Sequence, residues 1–129
     1  MKAPDWIASA VREFGRGAGI GDFSLNDRGA AAFRFESGVS LRFEYREGEL
    51  AVAVAVPCGN DPATARRILA CAHPDARFGA PVRAGWLSKS SAAAFAVRLP
   101  DQEVTLPVLN AVFNALWRAA AEFGGGAWA

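Results

Sequence analysis

Apolar residues recur at helical spacing near the start of the chain: Trp6, Ile7, Ala10, Val11 and Phe14, with Arg12 and Glu13 off the stripe. Positions three and four apart share one helix face, so the spacing predicts an amphipathic helix. Asp5 is placed to cap its first free N–H groups. Gly15, Gly17, Gly19 and Gly21 then end it, because glycine costs most in a helix interior. From Phe23 the period changes to two. Phe23 and Leu25 alternate with Ser24 and Asn26, and Phe33 and Phe35 flank Arg34. Val39, Leu41, Phe43 and Tyr45 alternate with Ser40, Arg42, Glu44 and Arg46. Leu50, Val52, Val54 and Val56 follow with alanines between them. Asn26-Asp27-Arg28-Gly29, Glu36-Ser37-Gly38 and Glu47-Gly48-Glu49 carry turn chemistry between these runs. The block reads as an antiparallel meander with one apolar face, and the alanines of its last strand allow cover on the second face too.

Asn60-Asp61-Pro62 is a helix start, with Ala65, Ile68, Leu69 and Ala72 on one face and Pro74 as the stop. Val82, Ala84, Trp86 and Ser88 alternate again, as do Ala93, Phe95, Val97 and Leu99. Thr105 can cap a last helix, whose stripe is Leu106, Leu109, Phe113, Leu116, Ala120 and Phe123, widened by Val112 and Trp117. The order is helix, three or four strands, helix, two strands, helix. That implies an α+β fold in one domain spanning 1–129: a twisted antiparallel sheet with three helices, in the order α-β-β-β-α-β-β-α.

At 129 residues the chain can bury a core without staples, and 52% hydrophobic against 21% charged composition marks it as folding. A net charge of +1, with arginines scattered among carboxylates, gives no field that steers it to nucleic acid or anionic lipid. Two cysteines, Cys58 and Cys71, are too few for a disulfide framework and read as reduced thiols. The first residues lack a signal-peptide pattern. The longest apolar run, 50–57, is far short of the ~20 residues a membrane helix needs. A soluble protein that stays in the compartment of its synthesis is expected.

Catalysis needs convergent titratable groups, and the sequence offers none. The one histidine, His73, sits at a predicted helix end, and Cys71 is two positions away, where helical side chains do not face each other. Cys58, Cys71 and His73 lack zinc-site spacing and a fourth ligand. The 15–21 glycine run follows a helix rather than a strand and has no phosphate-loop signature. No catalytic residue, metal or cofactor is therefore assigned. Arg28-Gly29 through Phe35 faintly echoes an RNA-recognition signature, but Ala30 stands where a stacking aromatic belongs. An alternative reading is a small nucleic-acid-binding α+β domain using Arg34, Arg42, Arg98 and the strand aromatics. The richer signal is apolar. Nine phenylalanines and four tryptophans in a non-catalytic domain are material for binding hot spots.

Several local patterns resemble class I type III secretion chaperones, the Tir-chaperone (CesT-like) family. Glu13-Phe14-Gly15 followed by Ile20-Gly21-Asp22-Phe23-Ser24-Leu25-Asn26 looks like the family's first helix and first strand. Leu41-Arg42-Phe43-Glu44-Tyr45 and the 50–57 run resemble its central hairpin. Ala84-Gly85-Trp86-Leu87 through Ala94-Phe95-Ala96-Val97-Arg98-Leu99-Pro100 resembles the late hairpin before a long final helix. The likeness runs from Trp6 to Phe123. It implies a bacterial cytoplasmic homodimer that holds the N-terminal region of a secreted effector, without ATP or other cofactor. On the resemblance, Phe14, Ile20, Phe23, Phe33, Phe35, Phe43 and Val54 are effector-binding candidates, and Ile68, Leu69, Ala72, Ala84 and Trp86 are dimer-interface candidates. Members of that family are usually acidic, whereas this chain is nearly neutral.

Overall fold

The first helix, α1 (Asp5–Gly17), has its cap one residue earlier than expected. Pro4 is the N-cap and makes no side-chain cap bond, while Asp5 is the first helical residue. There its carboxylate faces the positive end of the helix dipole, and Arg16 serves the other end. The helix closes with a Schellman motif. Gly19 takes φ +75°, its N–H donates to the Arg16 carbonyl (3.2 Å), and the Ile20 N–H donates to the Gly15 carbonyl (2.9 Å). One glycine of the run is thus needed as the left-handed exit.

This computed structural model describes residues 2–58, 74–75, 80–81, 83–87 and 92–123. The helix expected to start at Asn60-Asp61-Pro62 and stop before Pro74, with Ile68, Leu69, Cys71, Ala72 and His73, lies outside them. Among the described residues there are two helices, α1 and α2 (Leu106–Phe123), and a five-stranded antiparallel sheet. Its strands are β1 (Ala30–Arg34), β2 (Ser40–Arg46), β3 (Glu49–Pro57), β6 (Arg83–Leu87) and β7 (Ala92–Pro100), in spatial order β1-β2-β3-β7-β6. A short ladder pairs β4 (Pro74–Asp75) with β5 (Ala80–Pro81).

The expected alternation at Phe23 and Leu25 does not make a strand. These residues belong to the connection from α1, and Phe23 is buried beneath it. Periodicity over three residues cannot distinguish a strand from a loop that dips into the core. The turns do form as their chemistry requires. Glu47 (φ +51°) and Gly48 (φ +82°) give a two-residue loop with both central residues left-handed, which matches strand twist. Gly38 (φ +90°) ends the three-residue turn 36–38 that the Phe35 N–H to Val39 carbonyl bond closes between β1 and β2. Asp101, at the start of a short 3-10 turn (Asp101–Glu103), donates its N–H to the Gly48 carbonyl and so ties β7 to the central hairpin.

Both helices cover one face of the sheet, α2 lying on β3 and β7 and α1 packing beside it. The inward residues Leu41, Phe43, Leu50, Val52, Val54, Phe95, Val97 and Leu99 are fully buried against Ile7, Val11, Leu109, Val112 and Leu116. Each such side chain contributes about 1.5–3 kcal/mol of transfer free energy, so this seam is the main stabilising element. Thr105 caps α2 as expected: the Val108 N–H donates to its Oγ1 at 3.3 Å.

Candidate functional site

The strand order leaves β1 at one edge of the sheet among the described residues. Its two aromatics, Phe33 and the following Phe35, lie on the helix-covered side, where period two predicts, but neither is fully covered. They begin a continuous run of ring contacts. Phe33 meets Phe35 with centroids 5.0 Å apart, Phe35 meets Trp117 at 5.2 Å, and Trp117 meets Phe113 at 5.5 Å. Phe113 reaches Phe14 at 5.4 Å, Phe14 reaches Phe43 at 5.3 Å, and Phe43 reaches Phe23 at 5.2 Å. Most of these pairs are edge-on or tilted, the geometry that ring quadrupoles favour. The run descends from half-buried rings at the sheet edge into fully buried ones.

That descent sorts the effector-binding candidates. Phe14, Phe23, Phe43 and Val54 are buried within the chain, between 0% and 5% exposed. Ile20, Phe33 and Phe35 are half-buried and accessible. Periodicity tells which face a residue occupies, not how deep it lies. Phe113 and Trp117 complete the accessible shelf. Phe113 was legible as a member of the last helix's stripe and Trp117 as its widening, but nothing in the sequence sets that stripe beside β1. Of the dimer-interface candidates, Ala84 is half-buried against the core and opposite Phe95, and Trp86 pairs with Ala93. Ile68, Leu69 and Ala72 lie outside the described residues.

The opposite sheet face is different. Ala53, Ala55 and Ala94 floor a shallow trough whose rim includes Arg34 and Arg42, with no carboxylate among the described residues that line it. Arg98 lies further along, near Glu44, Arg46 and Glu49. Arg34, Arg42 and Arg98 therefore face away from Phe33 and Phe35. The arginines and the strand aromatics of the nucleic-acid alternative thus lie on opposite faces of the sheet.

At the far end of β2 the Tyr45 hydroxyl donates to the Asp101 carboxylate (3.2 Å). Burial, then this hydrogen bond, then the carboxylate's charge raise the phenol above its ordinary value. The pair fastens the 3-10 turn to the hairpin. No nucleophile or base stands beside it among the described contacts, and Cys58 sits half-buried against the core elsewhere. No described helix is long and apolar enough to cross a membrane.

The architecture is shared with type III secretion complexes. A chain of the ExsC–ExsE complex is 16% identical and superposes with a TM-score of 0.72, covering 93% of this chain and 92% of that one. The Yersinia pestis type III secretion chaperone SycH, in complex with a stable fragment of YscM2, gives 17% identity and a TM-score of 0.68 over 91% and 98%. A chain of the HopA1–SchA chaperone–effector complex gives 15% and 0.64 over 89% and 90%. At such identities the likeness speaks for the fold. No curated protein matches the sequence. The family model described as type III secretory system chaperone SycN matches residues 6–123, and the chain belongs to that family.

Proposed function

We infer that this protein is a type III secretion chaperone that binds the N-terminal region of a secreted effector and keeps it soluble and export-ready. The observation that carries the reading is the half-buried shelf of Phe33, Phe35, Phe113 and Trp117 beside an edge strand. An extended segment gains main-chain hydrogen bonds by adding to such an edge, and it seats alternate side chains against the aromatic shelf. Ile20 extends the accessible apolar surface, and Phe14, Phe23, Phe43 and Val54 hold the shelf rigid from below. The HopA1–SchA structure is described as a chaperone–effector complex, which supports an effector as the partner here.

The finer assignments belong to the same proposal. The chain is one domain of the class I, Tir-chaperone-like type. It acts in the bacterial cytoplasm as a homodimer, through Ile68, Leu69, Ala72, Ala84 and Trp86, and it is a binding protein rather than an enzyme. Co-expression with neighbouring open reading frames, co-purification and light scattering test this. A dimer carrying one effector segment is expected. A monodisperse monomer that retains no partner overturns it.

A further inference from the structure

The β1 edge is shorter than the strand. Hydrogen-bonded pairs alternate in an antiparallel ladder, so every second residue turns its N–H and C=O away from the neighbour. Phe35 N–H donates to the Val39 carbonyl (2.8 Å) and Tyr45 N–H donates to the Gly29 carbonyl (2.7 Å), which fixes the odd positions as those bonded to β2. Ala30, Ala32 and Arg34 therefore point their backbone groups at the open edge. Ala30 is already satisfied. Its carbonyl accepts from the Asn26 N–H at 2.8 Å, and its N–H donates to Asn26 Oδ1 at 3.0 Å. Oδ1 also accepts from the Arg28 N–H at 2.9 Å, which fixes the amide's orientation. Asn26 thus does for Ala30 what a neighbouring strand would do. Among the described residues of this edge, only Ala32 and Arg34 remain for pairing.

We propose that Asn26 is a stop that sets where a partner strand pairs on this edge, and that the segment held at Ala32 and Arg34 carries a carboxylate over Arg34 and Arg42. This rests on the effector-docking reading of the same edge and names what selects the segment. Side chains of an added strand alternate between the two faces, so those away from the aromatic shelf fall beside Arg34 and the trough. Arg34 and Arg42 are exposed there, on a rim without carboxylates among the described residues. An acidic side chain is the complement, and a basic one is repelled.

The test uses the full chain carrying at its C-terminus a segment of about nine residues, alternating valine and threonine around one aspartate. A Gly/Ser linker of about 25 residues keeps it at millimolar effective concentration. Amide exchange by NMR is the readout. Ala32 and Arg34 should exchange at least about tenfold more slowly in the fusion than in the plain chain, with Ala30 unchanged. In Asn26→Ala the plain chain should lose protection at Ala30 and the fusion should restore it. Asn26→Asp, which keeps the acceptor oxygen, should behave as wild type. Lysine in place of the fused aspartate should cut protection at Ala32 and Arg34 several-fold at low salt. No added protection at Ala32 and Arg34 overturns edge docking itself. Added protection that already reaches Ala30 in the wild-type fusion, or does not reach it in Asn26→Ala, overturns the stop while docking stands. Equal behaviour of aspartate and lysine overturns the carboxylate.

Discussion

Two glycines in the last turn of α1 should respond in opposite directions to the same substitution. A Cβ built on Gly15 lies 2.7 Å from Phe23 Cβ, 3.3 Å from the Phe23 carbonyl oxygen and 3.6 Å from the Gly21 carbonyl oxygen. Carbon pairs prefer about 3.5–4.0 Å, so the nearest contact must open by roughly 1 Å. The atom in the way is the stem of a buried side chain, with backbone behind it, and the loop is tied to the helix by the Ile20-to-Gly15 hydrogen bond. It cannot swing aside without pulling the Phe23 ring from Phe43. Overpacking of this kind costs about 1–3 kcal/mol, and alanine's better helix propensity returns at most about 1. Gly15→Ala should therefore destabilise by about 1–2 kcal/mol. Gly17 has nothing within 4 Å of a built Cβ, so Gly17→Ala should be neutral or stabilising by up to about 1 kcal/mol. Urea denaturation at one fixed protein concentration measures both, since association would otherwise shift the midpoints. A Gly15→Ala variant as stable as Gly17→Ala would refute the close approach of the loop to the helix, and with it the placement of Phe23 beneath the site.

Other expectations follow from single contacts. Trp117→Ala should weaken effector binding at least tenfold by calorimetry on the co-purified pair, whereas exposed Trp6 (49%) should tolerate alanine; equal losses would contradict the shelf. Tyr45 is the chain's one tyrosine, so phenolate absorbance reports it alone, and its midpoint should lie above the ordinary value of about 10 and fall in Asp101→Asn. Because the folded state holds this proton more tightly, the linked stabilisation is complete below the unfolded pKa and disappears as pH rises through the folded one. Thr105→Ala should cost about 1 kcal/mol by denaturation and Thr105→Ser much less. Trp86→Asp should shift the mass measured by light scattering from dimer towards monomer. An unchanged mass would remove Trp86 from the interface.

Local rules carried the chain a long way. Alternation identified β2, β3 and β7, because one buried face forces apolar residues to every second position. Glu47-Gly48 and Gly38 announced their turns, since only certain residues sit easily at positive φ. Thr105 announced its helix, since a hydroxyl there satisfies a free N–H. Three things needed the folded chain. β7 inserts between β3 and β6, a pairing between residues far apart in sequence, and this is what leaves β1 at the edge. Depth along the aromatic run separates Phe14 and Phe43, as floor, from Phe35, Phe113 and Trp117, as surface, although all share apolar faces. Asn26 reads in the sequence as turn chemistry and nothing more; only the register of β1 on β2 shows that it occupies the outward groups of Ala30. Periodicity is a property of neighbours along the chain. Strand order, burial depth and the satisfaction of an edge are set by contacts between distant segments, so the tertiary structure decides them.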